Sequence, residues 1–357
     1  MIPLNQHRAY ITSRIIASFS DDKSPENGFA AWFPSVTTSD RYVSIEVERN
    51  KQLVAVDVQR HTGGNINTFS HFTEKIYEPP FFDERYDFTS TQYYDVTFGN
   101  RNNPTKSQAF SMIEKSKKRL LTLKNKIMRA TEKMRSQVLS SGIVTLKNGD
   151  NINFNRKASS MPVLSGSDLW SDGSSNPLET LRTGATFLRE EGLTAGSSID
   201  LLIGRDAFPL FINHPIIKDH LDNRRISRGD LQRPQLNNKT GLAIHGTITV
   251  YDFTFNVWTY NGWYEDENGD RQYYLDPKQI LLLPDDLEAK TAYAGIPAIK
   301  RDKGNAEFAE YISQEEAEYY MSNFIDQTKK AHWFEIASAP LPIPVSVDRI
   351  WSAQVLP

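Results

Sequence analysis

The sequence predicts an α+β fold made of a separable N-terminal helix, a long loop, one rod-like helix and an inserted mixed domain. Three observations lead there. Apolar residues recur at seven-residue intervals through 105–141, which is the mark of a long helix. Two segments near the start, 42–48 and 53–59, alternate apolar and polar residues with the period of strands. Beyond residue 197, strand-like and helix-like stretches alternate over about a hundred residues. A length of 357 residues allows two or three compact units.

In chain order, Ile11, Ile15 and Phe19 fall at four-residue spacing on one face of a short amphipathic helix. The polar linker from Ser20 to Gly28 detaches that helix from the rest of the chain, so it reads as an arm. Tyr42–Glu48 and Leu53–Gln59 then read as two strands joined by a turn. From Arg60 to Phe98 the pattern dissolves into Gly63-Gly64, polar residues and Pro79-Pro80, an irregular stretch too long for an ordinary connection. The rod helix can be capped by Thr105 or Ser107 and carries Ile113, Leu120, Ile127 and Met134 in register, with Gly142 as its stop. A hairpin turning at Asn148-Gly149 comes next, then a Ser/Gly-rich loop over 159–175. Pro177 opens a helix to about Glu190. Strands at 199–203, 244–260 and 279–283, a helix near 206–213 and a hairpin tip at 265–270 complete the inserted unit. A helix is expected within 300–330, and the tail from Trp333 to Gln354 reads as extended, proline-interrupted chain rejoining the earlier part.

Composition narrows the function. With no cysteine, disulfides and thiolate metal sites are excluded, and folding in a cytoplasm is expected. The first nineteen residues lack the apolar stretch of a signal peptide, and runs such as Ile280–Leu283 are far too short to cross a bilayer, so no membrane role is expected. A net charge of −3 argues against a surface that coats nucleic acid throughout, so any basic surface is local. One such surface is the rod helix, whose ten lysines and arginines between Lys106 and Arg135 face only Glu114 and Glu132. Solvated helices usually mix charge signs, so this block predicts a negatively charged neighbour.

Several stretches, in order, resemble the tailed-bacteriophage major capsid proteins of the phage lambda capsid protein E family. They are the Tyr42-Val-Ser-Ile-Glu46 strand with its Val54-Ala-Val-Asp-Val58 return and Gly63-Gly64; Ser198 to Phe211 with Leu221-Asp-Asn-Arg-Arg225; Gly246 to Trp258 with the 260–275 hairpin; Phe334 to Pro340; and Trp351 to Val355. The resemblance implies an HK97-like major capsid fold. Its parts would be an N-terminal arm (1–41), peripheral-domain strands and an extended loop (42–98), a peripheral domain with the spine helix 105–141 (99–196), an axial domain (197–300) and a return to the peripheral domain (301–357). It further implies a head protein that assembles with itself into hexamers and pentamers of an icosahedral shell around double-stranded DNA. Portal, scaffold and decoration proteins are the other expected partners. Another virion subunit, or an α+β enzyme with a dispersed site, is the alternative.

Sites for chemistry are sparse. No nucleophile elbow, phosphate-binding loop or dinucleotide fingerprint is present. His214 and His220, six residues apart, would fall on opposed sides of a helix, and the adjacent pairs Asp21-Asp22, Asp285-Asp286 and Glu315-Glu316 point apart. No catalytic residue, metal site or cofactor is therefore expected. The expected functional residues are intersubunit ones: Ile11, Ile15, Ile16 and Phe19 on the arm; the acids Glu74, Glu78, Asp83 and Glu84; and Lys117, Arg119, Lys124 and Arg129 on the rod helix. The acidic tip Glu265 to Asp270 is expected to be an exposed turn and not a calcium loop, since it lacks the bidentate glutamate of that motif.

Overall fold

A computed structural model describes residues 25–47, 73–89, 108–146, 151–221, 229–236, 240–301, 310–326 and 328–357. The arm residues Ile11, Ile15, Ile16 and Phe19, the 53–59 strand, the glycine pair 63–64 and the Asn148-Gly149 turn lie outside them.

The centre is a six-stranded sheet. Its strands run in the order Trp351–Gln354, Gln279–Pro284, Ser198–Ile203, Phe253–Tyr260, Leu242–Val250 and Gly229–Leu236. Only 198–203 and 253–260 are parallel. That pair needs a crossover, and the chain between them supplies two short helices and two strands. Side chains alternate across this sheet with period two. Leu201, Ile203, Phe255, Val257, Ile280, Leu282 and Trp351 pack on one face, with Leu181, Ala185 and Leu188 of the helix Pro177–Glu190. Leu202, Leu281 and Leu283 belong to the other face, with Met134, Val138 and Leu139 of the long helix. Burial on both faces explains why Ile280–Leu283 reads as an unbroken apolar run.

The long helix, α1, spans Gln108–Ser140, and its 33 residues reach about 50 Å. Its stop is Gly142 at φ +69°, a conformation that glycine adopts without strain. Of the seven-residue series, Ile127 and Met134 are buried whereas Leu120 is only half-buried. The second helix, α2, is Pro177–Glu190, started by Pro177 and by the Asn176 side chain, which accepts from the Glu179 amide. Two short helices come after it, α3 (Ala207–Asn213) and α4 (Pro215–Leu221).

Two further sheets flank α1. Ser35–Thr37 pairs in parallel with Ala289–Tyr293, which pairs with Pro340–Pro344. The prolines at 340, 342 and 344 fit an edge strand, where missing N–H groups break no ladder. Tyr320–Asp326, Ala331–Ser338 and Phe82–Thr89 form an antiparallel three-stranded sheet.

Two expectations change. The stretch expected to be irregular holds two strands, Thr73–Tyr77 and Phe82–Thr89, and Val43–Val47 pairs with Thr73–Tyr77. The segment expected to hold a helix within 300–330 forms the strands Glu310–Glu315 and Tyr320–Asp326 where it is described, in keeping with its tyrosines, isoleucines and phenylalanine. The tail is extended, as expected, and rejoins the earlier part where Ala331–Ser338 pairs with Phe82–Thr89. Residues 331–338, 340–344 and 351–354 enter three different sheets, the last of them the six-stranded one.

Candidate assembly surfaces

The expected intersubunit acids cluster around the start of the three-stranded sheet, and in a single chain several already have partners. Arg41 Nη2 lies 2.7 Å from Glu78 Oε1, and Arg85 pairs with Asp83. Glu84 reaches α1 itself, at 2.7 Å from Lys126 Nζ. The strand 82–89 therefore uses part of the basic helix internally. Arg119 follows the same logic, donating to the Asp87 carbonyl at 3.5 Å with its guanidinium 5.5 Å from the Tyr86 ring centre. Lys124 Nζ sits 4.6 Å from the Tyr319 ring centre. Arg129 is half-buried. Glu74 and Lys117 lie in a strand and in α1, where only the backbone is described. Glu132 and Arg135 are buried together, which removes one charge of each sign from the block and leaves its excess of positive charge unchanged.

Around these charges lie large apolar side chains in water: Tyr42, Ile76 and Phe81 beside the 43–47/73–77 hairpin, Leu121 on α1, and Met321 on the edge strand. Large apolar side chains left exposed are candidates for an interaction surface.

Inside, two polar networks tie α1 to the sheets, and nothing in the sequence flagged either. In the first, Glu132 Oε1 accepts from the Phe29 amide at 2.7 Å and from the Tyr260 hydroxyl at 2.9 Å, while Arg135 Nη1 donates to Oε2 at 3.2 Å. Arg135 also donates to Asn27 Oδ1 at 2.8 Å and to Thr291 Oγ1 at 3.0 and 3.1 Å. Burial pushes the Glu132 carboxyl upward against the pull of Arg135, and burial beside Glu132 pushes the Tyr260 phenol well above its usual range. In the second, buried Arg156 donates to the carbonyls of Leu139 (2.6 Å), Ser160 (3.0 Å) and Ile350 (3.0 Å) and to Ser352 Oγ (3.2 Å). Burial lowers its pKa to about 10, so it stays charged at neutral pH next to the carbonyl end of α1.

The two histidines weighed as a metal pair, His214 and His220, are each held by hydrogen bonds to their own surroundings. His214 precedes Pro215, which forces it extended (ψ 133°) and ends α3, so His214 and His220 are not on one helix as expected. His214 Nε2 lies 3.1 Å from Ser175 Oγ and 3.2 Å from the Asp172 carbonyl, and Nδ1 accepts from the Ile216 amide. That arrangement puts the proton on Nε2, so the ring cannot take one from Ser175. The His220 ring bonds the Thr249 carbonyl. Among the described residues no group of three or more His, Asp or Glu forms a candidate metal site. The 265–270 tip is an exposed turn: Asp266 Oδ1 accepts from the Asn268 and Asp270 amides, both at 2.9 Å, which holds its carboxyl below the usual range.

No helix among the described residues is long and apolar enough to cross a membrane. Comparison with solved structures finds a prophage capsid protein of E. coli CFT073 at 15% identity and a TM-score of 0.56, with 99% of each chain covered. The capsid of the myovirus phage XM1 (9% identity, 95% and 94% covered, TM-score 0.45) and the SrpI encapsulin of Synechococcus elongatus PCC 7942 (9%, 97% and 96%, 0.45) are looser matches. No curated protein matches by sequence. The fold is thus the HK97-like capsid fold that the resemblance implied. The model of the phage major capsid protein E family matches residues 26–355, nearly the whole chain, so this chain belongs to that family and is a shell-forming structural protein of the virion.

Proposed function

We propose that the chain forms the hexamers and pentamers of an icosahedral shell around packaged double-stranded DNA, assembled in the host cytoplasm. Residues 197–300, which supply five of the six strands of the central sheet together with α3 and α4, serve as the axial domain. The long helix with the three-stranded sheet serves as the peripheral domain. The observation that carries this reading is the uneven burial of α1: Ile127, Met134, Val138 and Leu139 are buried, whereas Lys118, Arg119, Leu121, Thr122 and Lys126 are exposed. A helix half clothed by its own chain is completed by neighbours. Its basic side chains then meet acids of an adjoining subunit, with DNA in the shell as the second source of negative charge. Portal, scaffold and decoration proteins meet the assembled shell.

The arm is the second intersubunit element. Burying Ile11, Ile15, Ile16 and Phe19 on a neighbour contributes on the order of 1.5–3 kcal/mol each before ordering costs. Deletion of residues 1–24 tests this: the truncated subunit keeps near-normal thermal stability and fails to form regular shells. Unfolding of the truncated subunit at high dilution would assign the arm to its own core instead.

A further inference from the structure

Phe29 and Phe33 alone would bury the N-terminal segment against α1 and the sheet. Apolar burial is non-directional, however, and does not set the point at which a chain enters or leaves. The polar groups beneath the segment do set it. Phe29 N reaches Glu132, Asn27 Oδ1 reaches Arg135, and Gly28 N donates to the Tyr260 hydroxyl at 3.3 Å, so three consecutive residues are each held by a different side chain. Gly28 itself lies so close to Tyr260 that a Cβ there would stand 2.8 Å from the ring. Downstream, Thr291 takes the Arg135 guanidinium, donates from Oγ1 to the Phe33 carbonyl at 3.3 Å, and gives its own amide to the Pro34 carbonyl at 2.9 Å. A slip of the segment by one residue would leave the fully buried Glu132 and Arg135 without these partners.

We infer that Glu132 is a positioning residue for assembly: with Arg135 and Tyr260 it locks the register of residues 27–29 and so fixes where the N-terminal arm leaves the subunit body toward its neighbour. This rests on the reading that the arm docks between subunits. A buried ion pair contributes little net stability over an apolar substitute but enforces one arrangement.

The test uses the full-length chain with Glu132→Leu, and with Glu132→Leu and Arg135→Met together. The single substitution leaves Arg135 buried beside a neutral group and lowers the thermal midpoint. The double substitution removes the stranded charge and restores most of the midpoint. It nevertheless raises amide hydrogen exchange over residues 27–34 in dispersed subunits roughly tenfold or more, the loss of about one hydrogen bond of local protection. Shells from the double variant are absent or irregular. Wild-type exchange over 27–34, or fast exchange with normal shells, overturns the assignment. Should the double variant fail to fold, Tyr260→Phe carries the same two readouts, since it removes only the hydroxyl that joins Gly28 to Glu132. Normal shells from the chain lacking residues 1–24 would sink the arm reading separately, leaving the exchange result to judge the lock.

Discussion

Arg156 shows how one side chain can join two elements. It satisfies carbonyls from α1, from the 158–160 turn and from Ile350, so its removal strands several buried acceptors at once. Arg156→Met should destabilise the subunit by about 3 kcal/mol or more, seen as a lower denaturant midpoint with an unchanged slope. Gly142 lies against the same guanidinium stem, with an added Cβ 2.6 Å from Arg156 Cγ and Cδ. Asp266 gives a pH signature. Backbone donors depress its carboxyl, so its contribution to the turn is complete above the unfolded carboxylate pKa of about 4 and disappears as pH falls through the lower folded value. Asp266→Ala should therefore lower the thermal midpoint at neutral pH, and that difference should shrink toward zero in acid. A difference that grows on acidification would contradict the assignment. The turn was legible in the sequence because Asp266, Asn268 and Gly269 carry local chemistry. Glu132 and Arg156 were not, since their partners lie as far as 128 and 196 residues away and no local pattern encodes them.

Elements divide in the same way. Helices α1 and α2 were readable from periodicity, Pro177 and Gly142, all signals within one or two turns. Strands 73–77 and 82–89 were missed because Glu74, Lys75, Glu84 and Arg85 obscure their alternation. What makes 82–89 a strand is Ala331–Ser338, some 250 residues on. The internal use of Glu84, which sequence reasoning assigned to a neighbour, was hidden by the 42 residues that separate it from Lys126. Lys126 and Glu84 form a largely exposed pair, worth about 1 kcal/mol or less. Glu84→Lys or Lys126→Glu alone should cost about that much, and the exchanged pair should recover both stability and shell formation. Recovered stability without shells would mean that Lys126 also serves an adjoining subunit.

As a whole, the molecule is finished on one side and unfinished on the other. The six-stranded sheet is covered on both faces by α1 and by α2 to α4, and its apolar residues are almost entirely buried. Near the 43–47/73–77 hairpin and the exposed half of α1, Tyr42, Ile76, Phe81, Leu121 and Met321 stand in water beside a basic stripe on a chain of net charge −3. Such a surface suits contact with further copies of the chain. Electron microscopy of the purified full-length chain at high concentration, over a range of salt, tests this most directly. Closed shells or capsomer rings are the expected result, and a well-folded monomer under every condition would contradict the account.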